Sequence, residues 1–307
     1  MSKIAIAFAG QGAQYVGMGR ELYDAHGIVR ETFNEASEVL GYDIAELIFN
    51  EEEKLNETRY TQPAILTVSI AMYRLLGVKP DAVLGLSLGE YSALVASGAL
   101  DFKDAVALVA KRGKYMSEAA PAGVGKMVAV MNTPREVIEK ACEEASVKGI
   151  VTPANYNTPV QIVIGGEVAA VDYAKELLEA AGAKRMIDLN VSGPFHTALL
   201  EPASVQLAEA LKDVNFGELE IPVISNTTAK AMPDNADEIK ELLRLQVMKS
   251  VRFEDSIYTL RDEFGIDTII EVGPGKTLTS FMKKIDKEIT ALRVEDEASL
   301  EATKAAL

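Results

Sequence analysis

A glycine-flanked serine constrains the fold of this chain more than any other feature. The pentapeptide Gly85-Leu86-Ser87-Leu88-Gly89 follows a strand-like segment at 82–84 and precedes a helix-forming segment at 90–97. The pattern G-x-S-x-G between a strand and a helix is typical of a sharp turn, in which the glycines avoid steric clash. The turn lifts the serine hydroxyl clear of the sheet, so Ser87 is a candidate nucleophile. A purely structural turn serine is the alternative.

Alternating strand and helix patterns extend over the rest of the chain and predict an α/β fold. Between 126 and 189 the predicted order is βαββαβ, which is the ferredoxin-like arrangement. Glycine-containing segments lie on both sides of this stretch, as expected for a module inserted at two hinge points. We therefore predict a larger α/β-hydrolase-like domain with a parallel sheet, formed by 1–124 and 194–307, and a smaller ferredoxin-like domain at 125–193.

Glycines and hydrophobic periodicity also predict several element boundaries. Gly27 and Gly41 are predicted to end helices. In the carboxyl-terminal third, the patterns predict helices near 198–212, 237–249 and 253–264, a strand at 268–272 and a final helix from 295 to 307.

Charge and composition exclude several classes of protein. The formal net charge is −15, from 31 Lys and Arg against 46 Asp and Glu, so nucleic acid and anionic lipid are not expected partners. No apolar run approaches the roughly 18 residues that a membrane helix needs.

The single cysteine, Cys142, allows no intramolecular disulfide, which fits a reducing compartment and predicts a cytoplasmic protein. Its place on an apolar helical stripe predicts a core residue.

A serine nucleophile requires a base within hydrogen-bonding distance, and the chain has two histidines. His26 precedes Gly27 at a predicted helix end, where a histidine side chain interacts favourably with the helix dipole. His196 lies in a loop before a helix and follows the serine in chain order, as in α/β hydrolases. His196 is therefore the predicted base, with a structural histidine as the alternative. Hydrolases of this kind add an acidic residue, but none between 87 and 196 stands in a distinctive motif, so the third member stays open.

Two further positions near Ser87 are candidates for the site. The helix after the serine directs its amino-terminal N–H groups toward it, which predicts the N–H of Leu88 as a donor to a developing oxyanion. Arg112 lies on the second helix after Ser87. By its pattern alone, Arg112 is interpreted as a solvated surface residue.

Two glycine-rich segments resemble phosphate-binding loops but do not complete the pattern. The loop that begins at Gly10 has Tyr15 where a dinucleotide fingerprint requires its third glycine. Gly275-Lys276-Thr277 ends like a P-loop, but Ile270 occupies the position of the first glycine. No ligand spacing typical of zinc or calcium sites is present. The sequence predicts neither a metal nor a nucleotide cofactor.

Five sequence segments form a set that spans the chain. They are Ala9-Gly10-Gln11-Gly12-Ala13-Gln14, Thr61-Gln62-Pro63-Ala64, Gly85 to Glu90, Gly193 to Thr197 and Glu271-Val272-Gly273-Pro274-Gly275-Lys276. Together they resemble the malonyl-CoA:acyl carrier protein transacylase family, in the order the family has them. The family also has a ferredoxin-like insertion at the corresponding place.

The resemblance implies a malonyltransferase with two half-reactions. Ser87 takes the malonyl group from the CoA thioester as an ester and then yields it to the pantetheine thiol of acyl carrier protein. His196 serves as base and then as acid. By the same resemblance, the backbone N–H groups of Leu88 and Gln11 form the oxyanion hole and Arg112 binds the malonyl carboxylate. CoA is then a substrate, and no cofactor is implied.

The resemblance also implies roles for four other residues. The main-chain carbonyl of Gln246 orients the histidine in place of an acid, and the Gln246 side chain is not expected to matter. Gln62 and Asn155 line the pocket, and Phe195 matches the malonyl-selective pattern. One departure is visible at Leu86, where the family commonly has histidine.

Acyl carrier protein is itself acidic, so a partner of net charge −15 needs a local basic patch to bind it. The candidates are Lys111, Lys114, Lys184 and Arg185. A free-standing chain of this kind is expected to be a monomer that supplies fatty acid elongation, with a polyketide carrier left open. Two other functions are possible: a serine esterase or thioesterase, and a non-catalytic carrier-binding subunit.

Overall fold

The structure is a computed structural model that describes residues 2–121, 123–191 and 193–307. Ser192, next to the predicted end of the inserted module, lies outside them. The strands are β1 (Ile4–Phe8), β2 (Ala82–Gly85), β3 (Gly125–Met131), β4 (Val151–Thr158), β5 (Gln161–Glu167), β6 (Arg185–Asp188), β7 (Thr268–Val272) and β8 (Thr290–Val294). The α-helices are α1 (Arg20–Ala25), α2 (Gly27–Leu40), α3 (Ile44–Asn50), α4 (Glu52–Leu55), α5 (Thr58–Leu76), α6 (Gly89–Ala96), α7 (Phe102–Ala119), α8 (Arg135–Ala145), α9 (Val168–Ala180), α10 (Glu201–Lys212), α11 (Ala236–Gln246), α12 (Phe253–Phe264), α13 (Thr277–Ile285) and α14 (Glu297–Ala306).

Four strands form a parallel sheet in the order β2-β1-β7-β8. The sequence of β1, IAIAF, is wholly apolar and its last four residues are buried, as expected for a parallel strand covered on both faces by helices. Val223 adds an isolated parallel bridge to Val83 at the β2 edge. Because parallel strands have their carboxyl ends on one side of the sheet, the loops after β1, β2 and β7 meet there.

The packing of α5 against α7 brings the side chains of Gln62 on α5 and Arg112 on α7 near that edge. α7 begins after Asp101, whose carboxylate accepts the backbone N–H groups of Lys103 and Asp104. Gly113 lets the two helices approach closely, because a Cβ there would overlap the backbone of Thr58. The face of α7 that carries Arg112 therefore packs against α5 and is shielded from solvent.

The remaining strands form an antiparallel sheet in the order β4-β5-β3-β6. With α8 and α9 packed on it, this sheet has the βαββαβ chain order and the strand order of a ferredoxin-like module. Cys142 is 3% exposed in its core, as predicted. The predicted fold class, a parallel α/β domain with a ferredoxin-like module, is confirmed. β3 begins at Gly125 and β6 ends at Asp188; the exact domain boundaries stay a prediction.

The two sheets are joined by backbone pairing at Val251. Its N–H donates to the carbonyl of Ala154 at 2.9 Å, and its carbonyl accepts the N–H of Tyr156 at 2.8 Å. These bonds attach β4 to the segment just before α12. The module therefore packs beside the carboxyl edge of the parallel sheet, and the two sheets face a common space.

Most predicted element positions are confirmed, but α3 and α13 were not predicted and other details differ. α12 and β7 have the predicted bounds, and Gly41 ends α2 with a φ of 73°. Gly27 was expected to end a helix, but it begins α2. The helix predicted to continue to 249 ends at Gln246. β8 was not predicted, because this edge strand is only partly buried and lacks a clear apolar alternation.

Candidate active site

Ser87 lies in the turn between β2 and α6 with a backbone φ of 52°, in the left-handed region that non-glycine residues rarely adopt. The flanking glycines make this turn possible. A Cβ on Gly85 would overlap the backbone of Gly89, and a Cβ on Gly89 would overlap the carbonyl of Phe8. The serine therefore occupies the strand–turn–helix arrangement that its motif predicts.

His196 faces the serine from the loop before α10. Its Nε2 lies 2.8 Å from the Ser87 Oγ, and its Nδ1 lies 2.7 Å from the backbone carbonyl oxygen of Gln246. A carbonyl oxygen only accepts, so Nδ1 carries the proton and Nε2 accepts from the serine hydroxyl. The two predicted catalytic residues thus form a hydrogen-bonded pair, with a carbonyl where hydrolases have an acid.

The environment of His196 favours the neutral imidazole. Burial, and then the nearby Arg112 charge, lower the pKa of His196 to about 4, although hydrogen bonds to backbone carbonyls oppose this effect. At neutral pH the ring is uncharged and its Nε2 lone pair is free to accept a proton. Ser87 therefore has a competent general base.

Arg112 is 1% exposed, so its interpretation as a solvated surface residue is wrong. Its Nη1 donates to Gln62 Oε1 at 2.8 Å, and its Nη2 donates to Ser87 Oγ at 3.1 Å and to Gln246 Oε1 at 2.9 Å. The guanidinium carbon lies 5.4 Å from the ring centroid of Tyr91. No carboxylate in the described part of the chain forms an ion pair with Arg112, which leaves a buried positive charge beside the nucleophile.

The side chain of Gln246 contributes to the site, contrary to the expectation that only its carbonyl would. Its Nε2 donates to the backbone carbonyl of Ser87 at 2.8 Å and to Glu90 Oε2 at 2.9 Å. Its Oε1 accepts from Arg112. One residue thus contacts the serine backbone, the histidine ring and the arginine, and fixes their relative positions.

Two residues of the site were missed by sequence reasoning. Asn226 accepts the N–H of Ser87 on Oδ1 at 2.6 Å and donates from Nδ2 to the carbonyl of Gly85 at 2.6 Å. Glu90 is fully buried and accepts the N–H of Asn226 at 3.0 Å. A charged residue directly after the serine motif was a usable signal for Glu90. Asn226 stands in a polar loop whose sequence carries no comparable signal.

A cavity of 760 Å³ opens over the serine and is lined by residues from both sheets. Gln11 and Leu86 come from the parallel sheet side, and Met127 and Asn155 come from the antiparallel sheet. The backbone N–H groups of Gln11 and Leu88 donate to no acceptor among residues 2–121, 123–191 and 193–307. Two predicted oxyanion donors are therefore available, one in the loop after β1 and one directly after the serine.

The structure brings the other predicted pocket residues to this cavity or into contact with Arg112. Asn155 on β4 and Phe195 line it directly, and Phe195 is 8% exposed. Gln62 on α5 is fully buried, and its Oε1 accepts a hydrogen bond from Arg112 Nη1. The Leu86 side chain, at the position where a histidine was expected from the resemblance, lines the cavity and places an apolar group next to the serine.

Other predicted residues lie apart from the pair. His26 is the C-cap residue of α1, as expected, with its backbone N–H donating to the carbonyl of Leu22, and its ring lies 2.8 Å from a carboxylate oxygen of Glu297. Lys111 and Lys114 on α7, and Lys184 and Arg185 at β6, are exposed. Within the described ranges, no group of three His, Cys, Asp or Glu is arranged to hold a metal ion. Each helix described is too short or too polar to cross a membrane.

Comparison with known proteins agrees with this geometry. Residues 6–302 match the family described as acyl transferase domain. With this family match, the serine on a strand–turn–helix elbow and its buried neutral histidine place the chain among the acyltransferases. Among curated proteins, the malonyl CoA-acyl carrier protein transacylase of Bacillus subtilis is 46% identical over 98% of this chain and 96% of its own length. That of Escherichia coli K12 is 43% identical over 98% of this chain and 99% of its own.

Solved structures give the same result. The crystal structure of MCAT from Streptococcus pneumoniae is 62% identical, with a TM-score of 0.96 over 99% of this chain and 100% of that one. A complex titled as a type II PKS acyl-carrier protein with its malonyl-transacylase is 41% identical, with a TM-score of 0.96 over the full length of both chains. This chain belongs to the malonyl CoA-acyl carrier protein transacylase family.

Proposed function

We propose that this chain transfers the malonyl group of malonyl-CoA to the pantetheine thiol of acyl carrier protein, through an ester on Ser87. The observation that carries the proposal is the position of Arg112. A buried guanidinium without a carboxylate partner in the described chain lies 3.1 Å from the serine hydroxyl. An acyl group that ends in a carboxylate would form the direct ion pair that Arg112 lacks, whereas a neutral acyl group would not.

In the first half-reaction, Ser87 Oγ attacks the thioester carbonyl carbon while His196 Nε2 takes the hydroxyl proton. The carbonyl oxygen becomes an oxyanion that the N–H groups of Gln11 and Leu88 stabilise. When the intermediate collapses, the carbon–sulfur bond breaks and CoA leaves as a thiol with the proton from His196. The product is a malonyl ester of Ser87.

In the second half-reaction, the pantetheine thiol of the carrier gives its proton to His196 and attacks the ester carbonyl. The same N–H groups hold the second oxyanion. Its collapse breaks the bond between the carbonyl carbon and Ser87 Oγ, His196 returns the proton to that oxygen, and the malonyl group stays on the carrier as a thioester. Both steps use only side chains and backbone groups of the protein, so the proposed reaction requires no cofactor.

The proposal extends to the partner and the setting. Lys111, Lys184 and Arg185 are exposed and form no ion pair in the described part of the chain, whereas Lys114 lies 3.8 Å from Glu118. We infer that these cations provide the local attraction for the acidic carrier, against a net charge of −15. We further propose a cytoplasmic monomer that serves fatty acid elongation.

An assay with purified chain, malonyl-CoA and holo acyl carrier protein tests the function. We expect a malonyl adduct on the wild-type protein by intact-mass spectrometry, no adduct on Ser87→Ala, and malonylated carrier only with the wild type. Release of free malonate without malonylated carrier would favour the thioesterase alternative. Absence of any adduct on the wild type would favour the non-catalytic carrier-binding subunit.

A further inference from the structure

Glu90 is a buried carboxyl group to which the reaction above assigns no part. It lies in the first turn of α6 and has no exposed surface. Both of its known contacts are on Oε2, which accepts from the N–H of Asn226 at 3.0 Å and from Nε2 of Gln246 at 2.9 Å. Its Oε1 is buried and has no hydrogen-bond partner in the described residues.

Gln246 connects this carboxylate to the substrate-binding arginine. The amide donates from Nε2 to Glu90 and accepts on Oε1 from Arg112, so the two buried charges stand on opposite sides of one carboxamide. The attraction of Glu90 acts on Arg112, although the two side chains form no direct ion pair. Glu90 therefore occupies none of the donors of Arg112: Nη1 and Nη2 donate to Gln62, Ser87 and Gln246, and Nε is buried with no hydrogen-bond partner in the described residues.

We propose that Glu90 is the countercharge of Arg112 and sets how strongly the site prefers an anionic acyl group over a neutral one. Glu90 does not touch the acyl group; it acts through Gln246 and Arg112. The inference rests on the proposed transfer of a malonyl group. It goes beyond that proposal, because it assigns the degree of selectivity for malonyl to a buried residue that does not line the cavity.

Charge balance gives the direction of the effect. With Glu90 ionised, the empty site holds one buried positive and one buried negative charge. A malonyl carboxylate adds a second negative charge, which is unfavourable in a buried site unless Glu90 takes up a proton. A neutral acetyl group imposes no such cost. The preference for malonyl is therefore weaker when Glu90 is ionised and stronger when Glu90 is neutral.

The titration of Glu90 falls in an accessible range. Burial raises its pKa to about 7, although its hydrogen bonds and Arg112 oppose this shift. The other titratable groups around it do not change charge near that pH. An arginine guanidinium such as that of Arg112 stays protonated in proteins. The pKa of His196 is lowered to about 4, and the pKa of Tyr91 is raised to about 12. The preference for malonyl should therefore rise as the pH falls through the Glu90 pKa.

A competition experiment measures this preference directly. The protein is mixed with equal concentrations of malonyl-CoA and acetyl-CoA, and the initial ratio of the two adducts on Ser87 is read by intact-mass spectrometry. A change in the reactivity of Ser87 or His196 affects both adducts equally and therefore cancels in this ratio. We expect the wild-type ratio to rise about tenfold between about pH 8.5 and about pH 6, which corresponds to a coupling of about one pKa unit between the carboxylates.

The isosteric variant Glu90→Gln removes the charge and keeps an acceptor for Gln246. At about pH 8.5 its ratio should be about tenfold above that of the wild type, and it should not change with pH. Glu254→Gln is the matched control, because Glu254 on α12 is a partly buried carboxyl whose pKa is also raised by burial. This control should keep the wild-type ratio and its pH dependence.

The outcomes separate the two proposals. A wild-type ratio that does not change with pH would overturn the role of Glu90, and this measurement needs no variant to fold. A ratio at about pH 8.5 that is the same in Glu90→Gln and the wild type would also overturn it. Failure of the wild type to form any malonyl adduct would instead overturn the proposed function, and this inference with it.

Discussion

Ser87 and His196 both have backbone conformations that are costly for residues other than glycine. Their φ angles are 52° and 59°, and such conformations cost about 1–3 kcal/mol each. The side chains of Asn226 and Gln246 bind the N–H and the carbonyl of Ser87, and the N–H of His196 donates to the carbonyl of Val247 at 3.1 Å. The surrounding hydrogen bonds thus offset the strain and keep the two reactive atoms 2.8 Å apart.

The lowered pKa of His196 predicts that Ser87 stays reactive in acid. A base is lost only when the pH falls through its own pKa, here about 4 rather than the roughly 6.5 of an exposed histidine. The rate of Ser87 modification by an uncharged fluorophosphonate should therefore be constant from about pH 8 to about pH 5 and decline near pH 4. A decline centred near pH 6.5 would show that the histidine is not held neutral by burial.

Replacement of Arg112 should affect malonyl transfer more than acetyl transfer. Hydrogen bonds to a charged group contribute about 1.5–3 kcal/mol, so Arg112→Ala should slow malonyl adduct formation about 10 to 10² times more than acetyl adduct formation. Single-turnover rates with the two CoA esters measure the difference. Lys111→Ala, at the exposed neighbouring position, is the control and should leave both rates unchanged. Equal losses for both acyl groups in Arg112→Ala would refute the carboxylate-binding role.

The turn between β2 and α6 depends on close backbone approaches. Gly89, the first residue of α6, lies against the carbonyl of Phe8 at the end of β1. The amino end of α6 therefore packs directly on the parallel sheet, with Ser87 and the N–H of Leu88 at its start. Because this contact is between backbones, no side-chain rearrangement can accommodate even a methyl group there.

Gly89→Ala should damage both stability and activity. The added methyl group would have to displace α6 from β1, at a cost of about 1–3 kcal/mol in the free energy of unfolding. A displacement of about 1 Å at the serine lowers the acylation rate about 10²-fold. Chemical denaturation and single-turnover acylation test both effects.

Gly27→Ala is the control for this substitution. Gly27 begins α2 and has space for a Cβ, with the nearest atom 3.9 Å away on Arg30. The free energy of unfolding and the acylation rate of this variant should therefore match or exceed those of the wild type. Wild-type behaviour of Gly89→Ala would show that the turn tolerates a side chain at that position.

Residues from both sheets together form the cavity, and neither sheet forms it alone. The parallel sheet supplies Ser87 and the N–H groups of Gln11 and Leu88, and the antiparallel sheet supplies the wall that contains Met127 and Asn155. The backbone pairing at Val251 holds the two together. The position of the module therefore determines the space available to an acyl group and its carrier.

The proposed basic patch predicts a selective defect in carrier recognition. Charge reversal by Lys184→Glu with Arg185→Glu should raise the KM for acyl carrier protein about tenfold at low salt, with a smaller effect at high salt. Formation of the malonyl enzyme from malonyl-CoA should not change, because neither residue lines the cavity. Steady-state kinetics with the carrier, and adduct formation without it, measure the two effects.

Lys140→Glu with Lys148→Glu is the matched control for the patch. Both lysines are exposed on the same module and the change in charge is identical. The control should keep the KM of the wild type for the carrier. If both double variants raise the KM equally, the effect comes from net charge and not from a local patch.

Local patterns in the sequence predicted much of the fold. The serine turn, β7 and α12 each depend on residues close together in the chain, such as paired glycines or a short apolar run. The ferredoxin-like order followed from the succession of such segments. β8 was missed because its pairing with β7 stabilises a strand whose own sequence is only weakly patterned.

The sequence by itself selected Ser87 and His196 as the candidate nucleophile and base, because the motif selects Ser87 and only two histidines are present. Only the tertiary structure decided that Arg112 is buried and that Gln246 and Glu90 join it. The side chain of Gln246 bonds residues 134 and 156 positions away in the chain. Such contacts arise from the packing of distant elements, and a buried arginine and an exposed one can occupy the same helical pattern until that packing is known.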